Sequence, residues 1–522
     1  MATATKNRKS KSAKSRYIGK PGGLIQQRVQ QAGPQQFAVI SVDCAKRRSK
    51  WMLTDFYGKV VIEPTIVEHT VGAFKTMIAQ IKEAMQDNKL TDSIAAVEMT
   101  GVYHRPVQAA LRKAGFDTRT VHPFASEHYR QTLHTHIKTD DHDLEAIFHA
   151  AINGYGLAIL PVDNAYQTLQ ALVRHRRNLV RQRARLQIQI RVLMHQTMPG
   201  FADLFEDDKL FRKSVALHVA KQYGSAAAIK RAGATGLAAC LKKQKIRFHI
   251  RTLERIVAWS ATAVEPADLA VLLTQQWKQL AQCWDLITQQ IDQTEQETAK
   301  YLVKTPYVLL LSVTGINVVS AAALAGEAGP IEHYASARAI TGRAGLFPSR
   351  YQSDEVDRNG KIAHSSNRRL RAAAMMVAEN LIKCHPYYRG LSALWQGQKI
   401  DPRDRRVRIA NRAMRMVYQI VAGRQVWRGK GVEREYLLTK LREFHRTHQT
   451  PIDQTAEGLN EAFRWLPKST YASEGKSLQE LIQKKRRGAK SIGDLLLPLL
   501  IRLGVSGAEP LESTSSEAQG PA

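Results

Sequence analysis

Two short apolar runs constrain this chain more than any other feature. Phe37-Ala38-Val39-Ile40-Ser41-Val42-Asp43 and Ile94-Ala95-Ala96-Val97-Glu98 have the length and β-branching of buried strands, and each closes on a single carboxylate. Between them, Lys50 to Thr54 and Lys59 to Ile62 read as strands around the turn Asp55-Phe56-Tyr57-Gly58, followed by an amphipathic helix near Val71 to Met85. His104 to Ala114 reads as a helix ended by Gly115, and Thr118 to Val121 as a further short strand. The order βββαβαβα is that of an RNase H-like α/β fold. In such a sheet, acids at the ends of neighbouring strands face one cleft, and a following helix can supply more.

Lys138-Thr139-Asp140-Asp141-His142-Asp143 is that helix. With Thr139 as N-cap, Asp140 and Asp143 fall at i and i+3 on one face that Ile147 and Ala151 continue inward, while Asp141 points elsewhere. Complementing the helix dipole would explain the two acids equally well, for a few tenths of a kcal/mol. That explanation does not reach Asp43 and Glu98, which end strands.

Charge sharpens the reading. Lys and Arg total 77 against 46 Asp and Glu, a formal net charge of +31, so the molecule attracts polyanions. An acidic cluster converging in such a protein is repulsive unless a divalent cation neutralises it. Asp43, Glu98, Asp140 and Asp143 offer only hard oxygens, which selects Mg2+ or Mn2+, and the matching substrate is a phosphodiester. Zinc is not indicated. His122, His128, His134, His136, His142 and His149 crowd this region without the spacing of a ligand set, and Cys44, Cys240, Cys283 and Cys384 form no CxxC pair. Scattered cysteines fit a reducing cytoplasm. No membrane span is expected, since the longest apolar runs, Tyr307 to Val313 and Leu495 to Ile501, are too short, and the N-terminus lacks a signal-peptide apolar core.

At 522 residues the chain is expected to hold several folded parts. Residues 1–35, with Lys6, Arg8, Lys9, Lys11, Lys14, Arg16 and Lys20 among small residues, read as a flexible basic arm. The α/β domain spans 36–160. Residues 161–304 read as a coiled-coil hairpin: Leu172, Leu179, Leu186 and Leu193 repeat every seven residues, and Leu273, Trp277, Leu280, Trp284, Ile287 and Ile291 alternate steps of four and three. The pair either closes within one chain or bridges protomers, with a helical insertion at about 201–265. A mostly helical domain follows at 305–428. Its segment Val308 to Asn317, before the small-residue helix Val319 to Gly326, reads as a helix-hairpin-helix element presenting Gly315 and Asn317 to a phosphate, with Asn317 suited to a left-handed backbone, or else as an ordinary tight connection. Residues 429–504, including Lys484-Lys485-Arg486-Arg487, read as a helical extension and 505–522 as a disordered tail.

Gly345-Leu346-Phe347-Pro348-Ser349-Arg350-Tyr351-Gln352-Ser353-Asp354 reads as an irregular polar loop that leads to the basic helix start Asn367-Arg368-Arg369-Leu370-Arg371. Together with the strand acids and the KTDxxD helix, these motifs make the chain resemble the DEDD transposases of bacterial insertion sequences, family one-ten, related to the Piv DNA invertase. The resemblance covers roughly residues 37 to 200 and 270 to 427. It implies a RuvC-like domain whose metal ligands match Asp43, Glu98, Asp140 and Asp143, and a C-terminal transposase domain whose nucleophilic serine matches Ser353, with Ser349 as the alternative. It further implies homodimers or homotetramers, active sites composed from different protomers, donor and target DNA as substrates, and a noncoding bridge RNA as guide. Asp354 stands where the family commonly has Gly. Lys138, Arg350, Arg368, Arg369 and Arg371 are candidate phosphate contacts, or else one solvated basic face. Two other classes fit the bare residues: a junction-resolving nuclease using water, and a noncatalytic nucleic-acid-binding protein.

Overall fold

The computed structural model describes residues 25–466 apart from 134–136, 155–163, 206–208, 213, 265, 267, 354–355, 363–365 and 428–435. His134, His136, Asp354, the basic residues Lys6 to Lys20, the run Lys484 to Arg487 and the tail therefore lie outside the described residues. The chain divides into two units, 1–161 and 162–522. No described helix is long and apolar enough to cross a membrane.

The first unit is built on five strands, β1 (Phe37–Cys44), β2 (Arg48–Asp55), β3 (Val60–Glu68), β4 (Asp92–Glu98) and β5 (Thr118–Val121), ordered β3-β2-β1-β4-β5. The first three form an antiparallel meander, whereas β4 lies parallel to both β1 and β5. The β2–β3 turn is fixed by Asp55, whose Oδ1 accepts from the Tyr57 and Lys59 amides at 2.8 and 2.9 Å. Helices α1 (Gln26–Ala32), α2 (Val71–Asp87), α3 (His104–Lys113), α4 (Pro123–Leu133) and α5 (Asp140–Ile152) cover the sheet. Side chains alternate across a strand. Ala38, Ile40, Val42, Ala95 and Val97 therefore join Met77 and Ile81 of α2 and Val107 and Leu111 of α3. Phe37, Val39, Ile94 and Ala96 instead meet Leu144, Ile147 and Ala151 of α5. This mixed sheet is the expected α/β domain.

Folded structure begins earlier than the expected arm allows. Ile25 and Val29, one turn apart, are buried in the core, and between them Arg28 bonds Asp92 (Nε to Oδ2, 2.8 Å) and Asp117 (Nη1 to Oδ2, 2.5 Å). Apolar burial together with a two-carboxylate clamp orders this segment, so any arm ends before residue 25 rather than near 35.

In the second unit, α6 (Asn164–Thr197) ends against helices α7 (Lys209–Arg212), α8 (Ser214–Tyr223), α9 (Ala226–Lys243) and α10 (Ile250–Thr262), and α11 (Ala270–Leu302) returns alongside it. Thr197 Oγ1 accepts from Trp277 Nε1 at 3.1 Å while Arg176 reaches Glu295 at 2.5 Å, so the pair is antiparallel and closes within one chain. The 201–265 segment packs on this tip, where Phe201, Leu217, Leu237 and Leu253 share a core with Ile190, Met194 and Trp277. The remaining helices are α12 (Val318–Ala328), α13 (Ala337–Arg343), α14 (Arg368–Cys384), α15 (Pro386–Gly397), α16 (Pro402–Ala422), α17 (Tyr436–Thr447) and α18 (Ile452–Arg464). Leu437, Leu441 and Leu459 join the core of Leu309, Leu324, Leu370 and Val417. The boundary expected near 428 is therefore not a boundary of packing.

Candidate active site

Parity places the first two acids. In β1, Asp43 shares the face of Phe37 and Val39, and in β4 Glu98 shares the face of Ile94 and Ala96; this is the face α5 covers. The parallel register pairs Val42 with Val97, so the next residues, Asp43 and Glu98, lie side by side at the carboxyl ends of adjacent strands. They share a side-chain hydrogen bond. Burial, that bond and the charges of Glu98 and Asp140 together push the Asp43 carboxyl up to about 7.

The α5 N-terminus supplies the other two. Thr139 caps it as expected, its hydroxyl accepting from the His142 amide at 3.3 Å, and Asp140 and Asp143 stand in the first turn. Burial raises the Asp143 carboxyl, as do the charges of Asp43 and Asp140, against the opposing pull of Lys138 and Arg130. Asp141 leaves the group and pairs with Lys50 at 2.6 Å.

Four supporting residues have no counterpart in the sequence reading. Ser126 of α4 is buried, with its hydroxyl hydrogen-bonded to Glu98 Oε1 and 3.1 Å from the Pro123 carbonyl. One turn later, Arg130 Nε lies 3.0 Å from Asp143 Oδ1. Thr100 Oγ1 lies 3.4 Å from Glu98 Oε2, and Lys50 stands directly opposite Asp43 in the β1–β2 register. The only local signal was the i, i+4 spacing of Ser126 and Arg130.

The donor set fits a hard divalent cation. All four acids offer oxygen, and Asp43 retains a proton to about pH 7 because it is buried and, next, because its neighbours carry like charge, which a cation would relieve. Among the described residues, no three His, Cys, Asp or Glu side chains converge closely enough to form a preassembled cage.

In the second unit, the expected polar loop is a hairpin of β6 (Pro348–Ser353) and β7 (Val356–Ile362). Alternating cross-strand bonds satisfy backbone groups that an irregular loop would leave to water. Ser353 is the last residue of β6, exposed and paired in register with Val356. Arg350 pairs with Asn359. Asn367 caps α14, its Oδ1 accepting from the Arg369 and Leu370 amides at 3.1 and 3.0 Å. Arg368 and Arg369 are exposed, whereas Arg371 turns back to the Ala344 carbonyl at 3.0 Å.

The expected helix before Gly315 is instead a buried 3-10 segment, Pro306–Ser312, whose apolar side chains on all sides carry no helical period. Gly315 takes the left-handed backbone, with φ at +94°. Asn317 does not: at φ −113° it is the N-cap of α12 and forms a reciprocal capping box with Ser320. Lys440 closes the same turn by donating to the Val313 and Ile316 carbonyls at 2.6 and 3.0 Å.

Comparison with known proteins agrees with this layout. Residues 40–199 match the family model DEDD_Tnp_IS110, described as a transposase, and residues 307–392 match the Transposase IS116/IS110/IS902 family. A probable family 20 transposase of Pseudomonas aeruginosa is 22% identical over 367 residues, covering 69% of this chain and 93% of that relative. Over these two separate stretches, and along most of the relative's length, the chain is similar to transposases of the IS110 type.

Proposed function

We propose that the protein cleaves and rejoins DNA to move an insertion sequence, using a RuvC-like, RNase H-fold carboxylate site and a serine nucleophile. The observation that carries this reading is the grouping of Asp43 and Glu98 at adjacent strand ends of a 3-2-1-4-5 mixed sheet with Asp140 and Asp143 at the start of α5, where burial and neighbouring carboxylates raise the Asp43 and Asp143 carboxyls. These four would hold the divalent cation, Mg2+ or Mn2+. When bound, it supplies charge neutralisation for the phosphate and the leaving oxygen. Ser126 and Arg130 then act as positioning residues for Glu98 and Asp143.

Ser353 is the proposed nucleophile. Its exposed position at the end of β6 suits attack on a phosphodiester: the Oγ–phosphorus bond forms, the bond to the leaving oxygen breaks, and the hydroxyl proton ends on that oxygen. The covalent phosphoserine keeps the bond energy for rejoining. Recognition by a bridge RNA, and assembly of dimers or tetramers in which different protomers complete each site, belong to the same reading. Lys138, Arg368 and Arg369 are proposed phosphate contacts. Arg371 is proposed to brace them, since it is tied to Ala344.

Trapping the protein–DNA adduct in denaturing gels tests the mechanism. Wild type should give a covalent species that both Ser353→Ala and Asp43→Asn abolish. Cleavage without adduct in Ser353→Ala would instead indicate a hydrolytic nuclease using water.

A further inference from the structure

Arg408, Arg412 and Arg415 follow one another at i, i+4 and i+7 along α16, all exposed, while Ile409, Ala410, Ala413, Met414 and Val417 occupy the buried side. At about 1.5 Å per residue the stripe runs roughly 10 Å. Among the described residues, none of the three is paired with a carboxylate, and the only acid in α16 is Asp404 in its first turn. Their neighbours are engaged otherwise: Arg405 reaches Gln396 at 3.0 Å and Arg406 reaches Glu379 at 2.9 Å.

The stripe is ordered from beneath. The guanidinium carbons of Arg408 and Arg412 lie 5.8 and 5.5 Å from the ring centroid of Trp395, which is itself buried. Arg412 Nη1 also donates to the Tyr387 hydroxyl at 3.1 Å. A guanidinium held over an indole ring loses less rotamer freedom on meeting an anion than a free one does. Tyr387 and Leu394, two turns apart on α15, are 53% and 59% exposed. Cationic groups thus border an aromatic ring and an aliphatic side chain open to solvent. A duplex hides its base faces and would leave that apolar part unused, whereas unpaired bases stack on it.

We propose that this α15–α16 face binds single-stranded DNA, with phosphates against Arg408, Arg412 and Arg415 and a base against Tyr387. The face goes beyond the carboxylate and serine chemistry, and α16 lies past the residues matched by the second family model.

The test uses the full chain, a fluorescent oligothymidylate of about 20 nucleotides, a duplex and an oligouridylate of equal length, and anisotropy over a salt series. With arginine replaced by glutamine at 408, 412 and 415 together, oligothymidylate affinity should fall at least about tenfold, and the slope of log affinity against log salt should shrink by about 2, at roughly 0.7 per lost phosphate contact. Tyr387→Ala should lose about tenfold with an unchanged slope, and Tyr387→Phe should lose little, since it keeps the ring. Arg415→Gln alone, at an exposed position, should lower the slope by about 0.7, and it stands in if the triple variant does not fold. Unchanged oligothymidylate binding in the triple variant overturns the proposal. Equal losses for duplex and single strand overturn it in favour of a general phosphate surface, and a larger loss for oligouridylate overturns it in favour of RNA. No cleavage is read, so a failed recombination mechanism leaves these outcomes distinct.

Discussion

Lowering the pH should weaken divalent-ion binding, with a break set by Asp43. The structure raises this carboxyl from 3.8 to about 7, first through burial, then through the bond to Glu98 and the charges of Glu98 and Asp140. A ligand must be ionised, so below about pH 7 the incoming ion has to expel a proton, and affinity should fall about tenfold per pH unit; above 7 it should level off. The sign for stability follows from the same numbers. The folded state favours neutral Asp43, so its contribution is fully present below 3.8 and is lost as the pH climbs to about 7. A rise from 3.8 to about 7, at about 1.4 kcal/mol per pH unit, would be about 4 kcal/mol. Partial solvent access brings this nearer 2 kcal/mol. The metal-free protein should therefore melt lower at pH 8 than at pH 6, and Mn2+ should recover the difference. Free Mn2+ measured by electron paramagnetic resonance across pH 6 to 8.5 gives the affinity, and calorimetry gives the melting temperature. Asp43→Asn should bind more weakly and lose the break near 7. A wild-type affinity independent of pH between 6 and 8, or a break that persists in Asp43→Asn, would refute the reasoning.

Gly326→Ala should destabilise the second unit by about 1–3 kcal/mol despite its better helix propensity, because a β-carbon there would lie 2.9 Å from the Gln170 backbone nitrogen, which cannot swing aside. Gly390→Ala, in open space on α15, should instead stabilise it by about 0.5–1 kcal/mol; tryptophan fluorescence in urea compares the two, since every tryptophan but Trp51 lies in this unit. Arg174→Met should cost about 3 kcal/mol in the same assay, because it leaves the buried Glu327 carboxylate without its two 2.9 Å bonds. The bond from His448 to Glu295 raises the imidazole above its usual value of 6.5, so its stabilisation is complete below 6.5 and lost as the pH rises through the higher folded value. His448→Gln should flatten that dependence between pH 6 and 8, a change of about 1 kcal/mol or less after screening.

What could be read from the residues was what neighbours decide. Strands β1 and β4 were legible because length, β-branching and a terminal acid are local properties, and Thr139 because a cap acts over one turn. Helix α4 escaped notice because its polar, His-rich segment shows little contrast, and the roles of Ser126 and Arg130 exist only once Glu98 and Asp143 are brought to them. Asn317 was assigned the wrong backbone, although Ser320, three residues on, was the clue to a cap. The hairpin carrying Ser353 was hidden by its polarity, because strands are conspicuous when one face is apolar.

The alternation that aims Asp43 and Glu98 at α5 also makes each strand a two-position ratchet. Adding or deleting one residue in β1 would turn its terminal carboxylate toward Met77 and Val107, into a greasy layer with no counter-charge, while leaving strand composition almost untouched. Descendants of this sequence can thus exchange many apolar residues in these strands for others, yet cannot change the strands' length by an odd number without silencing the site.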